Sequence, residues 1–180
     1  MGDPHQAAGC VWMANVDFGD GVRKKYFVLL SECENEAEHF VVAFTTSQQR
    51  YQGETTSQCG CPDLPCFRID VGHEPCFSVK TWVQFDNVHP IQHARFQEMA
   101  KAGATFVHKL HPDRIRAVLN CAKKSKDIAG RDLSLIDRTL KSSMATPGIP
   151  APSVSKREKK KLKKEKKKAE KLKLREGKEK

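Results

Sequence analysis

The lysine-rich C-terminal segment places the strongest limit on how this chain can fold. Residues 156–180 carry fifteen Lys or Arg and five Asp or Glu, so the whole net charge of +10 belongs to them. Like charges at this density repel one another, and few apolar side chains are present to bury. We therefore expect a disordered or loosely helical tail that binds polyanions such as RNA, DNA or an anionic membrane surface without sequence preference.

The remaining part of the chain is electrically neutral, with seventeen basic and seventeen acidic residues. Its length of about 150 residues suits one domain. Residues 146–155 contain three prolines and no apolar periodicity, which predicts a linker. The sequence has no run of 18 apolar residues, and its first residues lack the apolar core of a signal peptide. We expect no membrane span and a cytoplasmic location.

Short β-prone runs precede two helical patterns. Apolar and β-branched residues with intervening turn signals predict strands at 11–18, 26–30, 39–44, 67–71, 77–85 and 105–110. His111-Pro112-Asp113 then begins a helix whose apolar face is formed by Ile115, Val118, Leu119 and Ala122, and a weaker helix is predicted over 132–141. This order favours a mainly β (α+β) fold, either a small, partly open barrel or a sandwich closed by helices.

Three segments in this order resemble the MazF/PemK-type ribonuclease toxins of bacterial toxin–antitoxin systems. The first is a strand followed by a basic residue and an LVLS-like strand; the second is a strand that ends in a Thr/Ser pair followed by Tyr and an acidic residue; the third is a strand with Ser, Lys and Thr. They correspond here to Val16–Ser31, to Thr45-Thr46-Ser47 with Tyr51 and Glu54, and to Ser78–Val83. The resemblance covers residues 9–129, including a terminal strand and helix from Thr105.

The resemblance implies a fold and an activity for the body of the protein. Residues 9–129 would form a small SH3-like β-barrel with a C-terminal helix, followed by an extra helix at 130–145, and the protein would be a homodimer. It would cleave single-stranded RNA without a metal by attack of a ribose 2′-hydroxyl on the adjacent phosphate. RNA and an antitoxin protein would be its partners.

Site residues follow from the same resemblance. Lys25 stands at the position of the family's catalytic arginine, and Thr45 stands at that of its catalytic or phosphate-holding threonine. Arg23, Thr46, Ser78, Lys80 and Thr81 would support substrate binding. Lys lacks the bidentate fork of Arg, and Tyr26 replaces a usual proline, so a non-catalytic nucleic-acid-binding module is the alternative. Ordinary structural roles, an exposed lysine and hydroxyls that cap a turn, are the third reading.

Seven cysteines form the other notable feature of the sequence. In a reducing cytosol they are expected to be free thiols or metal ligands rather than disulfides. Cys59, Cys61, Cys66 and Cys76 lie in a polar, Gly- and Pro-rich stretch and supply enough sulfur ligands for a structural zinc site. Unbound loop thiols are the alternative. No cofactor is required for the implied cleavage reaction.

Overall fold

The computed structural model describes residues 4–17, 19–48, 58–61 and 64–145. The chain divides into two units, Met1–Ala145 and Thr146–Lys180. The predicted linker at 146–155 and the predicted tail at 156–180 lie outside the described residues, as do Tyr51 and Glu54.

Seven strands form one antiparallel sheet. They are β1 (Cys10–Asp17), β2 (Val22–Leu29), β3 (His39–Thr46), β4 (Cys59–Cys61), β5 (Leu64–Ile69), β6 (Thr81–Gln92) and β7 (Thr105–Lys109). Their order across the sheet is β4-β5-β6-β3-β2-β1-β7. Five of the six predicted strands overlap these bounds, although β2 and β5 begin four and three residues before their predicted starts, and β4 was not predicted. The sixth prediction, at 77–85, is wrong at its start, because residues 77–80 form a loop and β6 extends instead to Gln92.

The sheet is open, with β4 and β7 at its two edges. A seven-stranded antiparallel sheet with three helices gives an α+β fold, as expected from the sequence. The predicted closure into an SH3-like barrel is not found among the described strands. A small barrel buries only its inner face, whereas here both faces of the sheet are covered by helices, so the sheet gains nothing by closing.

The two faces of the sheet carry separate hydrophobic clusters. Alternation along the strands sends Val11, Val28 and Val41 to one face and Trp12, Phe27 and Val42 to the other. The first face is covered by α2 (Pro112–Ala122) and α3 (Gly130–Ala145), whose buried residues belong to the larger cluster. The second face is covered by α1 (His93–Lys101). The helices predicted to start at 111–113 and to span 132–141 correspond to α2 and α3.

The helix α1 was not predicted. Only Phe96 is buried in it, so its apolar pattern is too short to register in the sequence. Phe96 meets Trp12 edge-on, with ring centroids 4.9 Å apart, and Phe40 at a tilted angle, with centroids 4.7 Å apart. Aromatic contacts with β1 and β3 therefore stabilise a helix that has little local signal.

Polar contacts fix α3 onto the sheet and onto the loop that joins β2 to β3. His39 Nε2 and Asp132 Oδ1 are 2.7 Å apart, and both side chains are nearly buried. Arg138 donates two hydrogen bonds to the Glu38 carboxylate at 2.8 and 2.7 Å, and these bonds hold the pKa of Glu38 below its usual range. None of the described helices is long and apolar enough to cross a membrane.

Candidate nucleic-acid interface

A cavity of about 410 Å³ brings together most of the residues that the sequence predicts as a site. We call it the β2–β3 cleft. Its wall is formed by residues 23–26 of β2, residues 45–48 at the end of β3, and residues 76–79 with Thr81 before and at the start of β6. Three segments distant in the sequence therefore meet at one place.

The cleft exists because strand pairing stops on one side of β2. β1 pairs with β2 as far as Asp17 and Val22, whereas the β2–β3 ladder ends at Phe27 and Phe44. Residues 23–26 thus extend past the ladder as part of the β1–β2 hairpin. The gap beside them is bordered by the end of β3, which bends away through a register shift between Ala43 and Thr45.

Three consecutive cationic side chains line the cleft. Arg23 forms an exposed ion pair with Asp20, with 2.5 Å between Nη2 and Oδ2, and Lys24 is also exposed. Lys25 is half-buried and is the most enclosed of the three. A cation that is partly removed from water interacts more strongly with a bound anion, so Lys25 is best placed to contact a phosphate.

The hydroxyl groups of the cleft differ in what they can donate. Thr45 Oγ1 donates to the Tyr26 carbonyl at 3.3 Å, and Thr81 Oγ1 donates to the Val79 carbonyl at 2.9 Å. Thr46 Oγ1 instead accepts from the Gln48 amide at 3.2 Å. Accepting that bond does not use the hydroxyl proton, so the Thr46 side chain can donate to an anion while Thr45 must first exchange a backbone partner.

The loop before β6 separates two residues that the sequence placed together. Ser78 lines the cleft because residues 76–79 fold against β2 and β3. Lys80 is exposed and is not part of the cleft wall. The prediction that both lie on one strand is wrong, since β6 begins only at Thr81. Of the seven predicted catalytic and substrate-binding residues, Lys80 is the one that the structure leaves outside.

Two aromatic side chains complete the wall, and sequence reasoning did not assign them a role. Tyr26 and Phe77 meet edge-on with ring centroids 6.0 Å apart. Tyr26 is half-buried and Phe77 is buried. Sites for single-stranded nucleic acids often combine cations with an accessible aromatic ring, and Tyr26 directly after Lys24 and Lys25 was the signal available in the sequence.

One of the four cysteines expected to bind zinc is engaged in a disulfide, and the zinc site itself stays a prediction. Cys59 forms a disulfide with Cys121, with 2.08 Å between the sulfur atoms, so the expectation of free or metal-bound thiols is wrong for this pair. Cys66 packs against Trp82, and Cys76 lines the β2–β3 cleft. The side chain of Cys61 lies outside the described part of the chain. Among the residues that are described, no group of three His, Cys, Asp or Glu side chains can hold a metal ion.

Cys76 is the thiol closest to the candidate chemistry, and it is held in its neutral form. Burial, with a smaller contribution from the negative charge of Glu74, raises the pKa of Cys76 to about 11. A thiol with this pKa is protonated at neutral pH and is a poor nucleophile. Its place in the wall is therefore that of a small apolar side chain.

The charge of the cleft determines what it can bind. Its described wall has the cations of Arg23, Lys24 and Lys25, several hydroxyls, and no carboxylate or imidazole. Such a surface attracts an anion and can donate hydrogen bonds to its oxygens. Comparison with protein-family models finds no match for this chain, and comparison with curated proteins finds none either.

Proposed function

We propose that the protein is a metal-independent endoribonuclease of the MazF/PemK type that binds single-stranded RNA in the β2–β3 cleft. One observation carries this proposal. Lys25 and Thr45, the two residues matched to catalytic positions, line the same cavity together with Arg23, Thr46, Ser78 and Thr81. These residues span almost sixty positions of sequence, and an arbitrary set of exposed lysines and turn-capping hydroxyls would not be expected to converge.

The order of elements adds support to the resemblance. A short terminal strand followed by a helix was expected from Thr105 onward, and β7 is followed by α2 in this position. The resemblance also suggests a second copy of the chain and an antitoxin protein as partners. The cleft depends on the antiparallel sheet, because β3 lies between β2 and β6 and the loop 76–79 leads directly into β6.

In the proposed reaction the ribose 2′-oxygen forms a bond to phosphorus as the bond from phosphorus to the 5′-oxygen breaks. The products are a 2′,3′-cyclic phosphate and a 5′-hydroxyl. Lys25 balances the negative charge that grows on the phosphate oxygens, and the Thr46 hydroxyl donates a hydrogen bond to one of them. The proton of the 2′-hydroxyl must pass to a base, and a proton must reach the leaving 5′-oxygen.

A second function is favoured by one specific observation. The described wall of the cleft contains no imidazole or carboxylate to accept the proton of the 2′-hydroxyl. A protein with this wall alone would bind the phosphodiester backbone without cleaving it, as a nucleic-acid-binding module. Glu54, the acidic residue that the resemblance places downstream of the Thr pair, lies outside the described residues.

The experiment that separates the two functions uses purified full-length protein and a mixed single-stranded RNA in the presence of EDTA. Cleavage is expected to give products that end in 2′,3′-cyclic phosphate. Lys25→Ala is expected to remove cleavage, whereas Lys80→Ala, a matched lysine outside the cleft, is expected to retain it. Bound but intact RNA would contradict the enzyme and support the binding module. Equal cleavage by wild type and Lys25→Ala would show that the site lies elsewhere.

A further inference from the structure

Glu74 is a nearly inaccessible carboxylate with no role in the cleft itself. It lies in the loop between β5 and β6, and only 2% of the residue is exposed. Its oxygens accept hydrogen bonds from His108 Nε2 at 3.2 Å and from the backbone amide of His111 at 3.2 and 3.4 Å. Nε of Arg114 is 3.8 Å from Oε1. All of these partners belong to β7 or to the start of α2.

The position of Glu74 explains how so buried a carboxylate is tolerated. His111 is the N-cap of α2, and the first amides of a helix lack partners within the helix and carry a partial positive charge. A carboxylate that accepts from one of these amides, beside the Arg114 guanidinium, is stabilised by both. An uncompensated carboxylate in this place would strongly destabilise the fold.

Arg114, which lies beside Glu74, also contacts a second segment of the chain. Its Nη1 donates to Gln58 Oε1 at 3.1 Å, and its guanidinium lies 6.0 Å from the centre of the Phe67 ring. Its side chain is only 18% exposed. The start of α2 therefore contacts both the loop before β6, through Glu74, and the residue that precedes β4, through Arg114 and Gln58.

The loop that contains Glu74 also forms one wall of the β2–β3 cleft. The Phe77 amide donates to the Glu74 carbonyl at 3.2 Å, so the backbone turns immediately after Glu74. Residues 76–79 then reach the cleft, where Phe77 contacts Tyr26 and Ser78 joins the wall. The side chain of Glu74 contacts the start of α2, whereas residues 76–79, which follow it, line the β2–β3 cleft.

We propose that Glu74 is a positioning residue, which fixes the 76–79 wall of the cleft by joining its loop to the N-terminal end of α2. This inference rests on the proposed function, because the 76–79 wall matters only if the cleft binds the phosphodiester of RNA. An apolar residue at position 74 would fill the same space without requiring any partner. A carboxylate that accepts hydrogen bonds from two directional donors, the His108 ring and the His111 amide, instead selects one position of the loop.

The test compares Glu74→Gln with Asp132→Asn, which removes the charge of another buried His–carboxylate pair. His39 and Asp132 lie between β3 and α3, and neither lines the cleft. For each full-length variant, the affinity for a single-stranded RNA is measured on folded protein, together with amide hydrogen exchange of residues 73–80. Glu74→Gln is expected to weaken binding about tenfold and to speed exchange in this loop. Asp132→Asn is expected to do neither, even where it lowers stability.

A second pair of variants keeps the test decisive if Glu74→Gln does not fold. His108→Gln retains an N–H donor toward Glu74 and is expected to bind RNA like wild type, whereas His108→Ala removes the donor and is expected to bind more weakly. Unchanged affinity and loop exchange in Glu74→Gln, or in His108→Ala, would overturn the positioning role. If wild type itself fails to bind RNA, the proposed function fails, and the exchange measurement still decides whether Glu74 fixes the loop.

Discussion

The disulfide between Cys59 and Cys121 gives the most quantitative prediction. It joins the start of β4, a three-residue strand at the edge of the sheet, to the end of α2, and it closes a loop with a sequence separation of 62 residues. A crosslink of this kind limits the conformations of the unfolded chain. Reduction of the bond should therefore stabilise the unfolded state and lower the free energy of unfolding.

The expected size follows from the loop length. The chain-entropy relation for a loop of this length gives about 4 kcal/mol at 25 °C, which is a large share of the stability of a typical domain. Urea unfolding with and without a thiol reductant measures the difference. A double variant, Cys59→Ala with Cys121→Ala, is expected to show the same loss without reductant and to be insensitive to its addition.

A thiol titration makes the result interpretable. Without reductant, the denatured protein should have two fewer reactive thiols than the reduced chain. If the two thiols are missing but reduction leaves the free energy of unfolding unchanged, the entropic reasoning is refuted. If no thiols are missing, the bond does not form in solution and both cysteines are free.

Three further predictions concern charge, backbone conformation and the tail. Hydrogen bonds from two lysines hold the pKa of Asp137 at about 2, so the stabilisation of the folded state by this carboxylate is present above pH 4 and is lost as the pH falls toward 2. The free energies of unfolding of wild type and Asp137→Asn should therefore differ at pH 7 and converge near pH 2. A difference that stays constant with pH would contradict this. Gly9 has φ 81°, and a Cβ there would come within 2.2 Å of Ile115, so Gly9→Ala should cost about 3 kcal/mol in urea unfolding. Gly103→Ala, also at positive φ but in open space, should cost only about 1 kcal/mol, and equal losses would refute the steric argument. Truncation after Val154 should reduce the salt dependence of RNA binding, and an unchanged slope would place the phosphate contacts in the body.

Local patterns were sufficient to predict much of the secondary structure. Short runs of apolar and β-branched residues in 11–18 and 39–44 indicated strands, and Ile115, Val118 and Leu119 indicated the buried face of α2. These signals are local because a strand buried on both faces reads as a continuous apolar run, whereas a helix buried on one side repeats its apolar residues with its own period. Where that repeat is short, as around Phe96 in α1, prediction failed.

Part of the candidate site was predicted from a resemblance to a family and not from local patterns. Lys25, Thr45 and Ser78 were named from a family resemblance, and their meeting in one cleft depends on the order of β2, β3 and β6 in the sheet. The same resemblance gave no way to exclude Lys80. Its position depends on where β6 begins, and the β-prone residues of 77–85 did not locate that point.

The sequence by itself determined where the net charge lies, since residues 156–180 carry all of it and the rest of the chain is neutral. It also determined which segments form strands, because that information lies within a few neighbouring residues. Only the tertiary structure decided that the sheet stays open, that Cys59 is bonded to Cys121, and that Glu74 lies buried at the start of α2. Glu74 and His111, like Cys59 and Cys121, are more than thirty positions apart in the sequence. Such pairs form only when the folded chain brings distant segments together, so no local pattern predicts them.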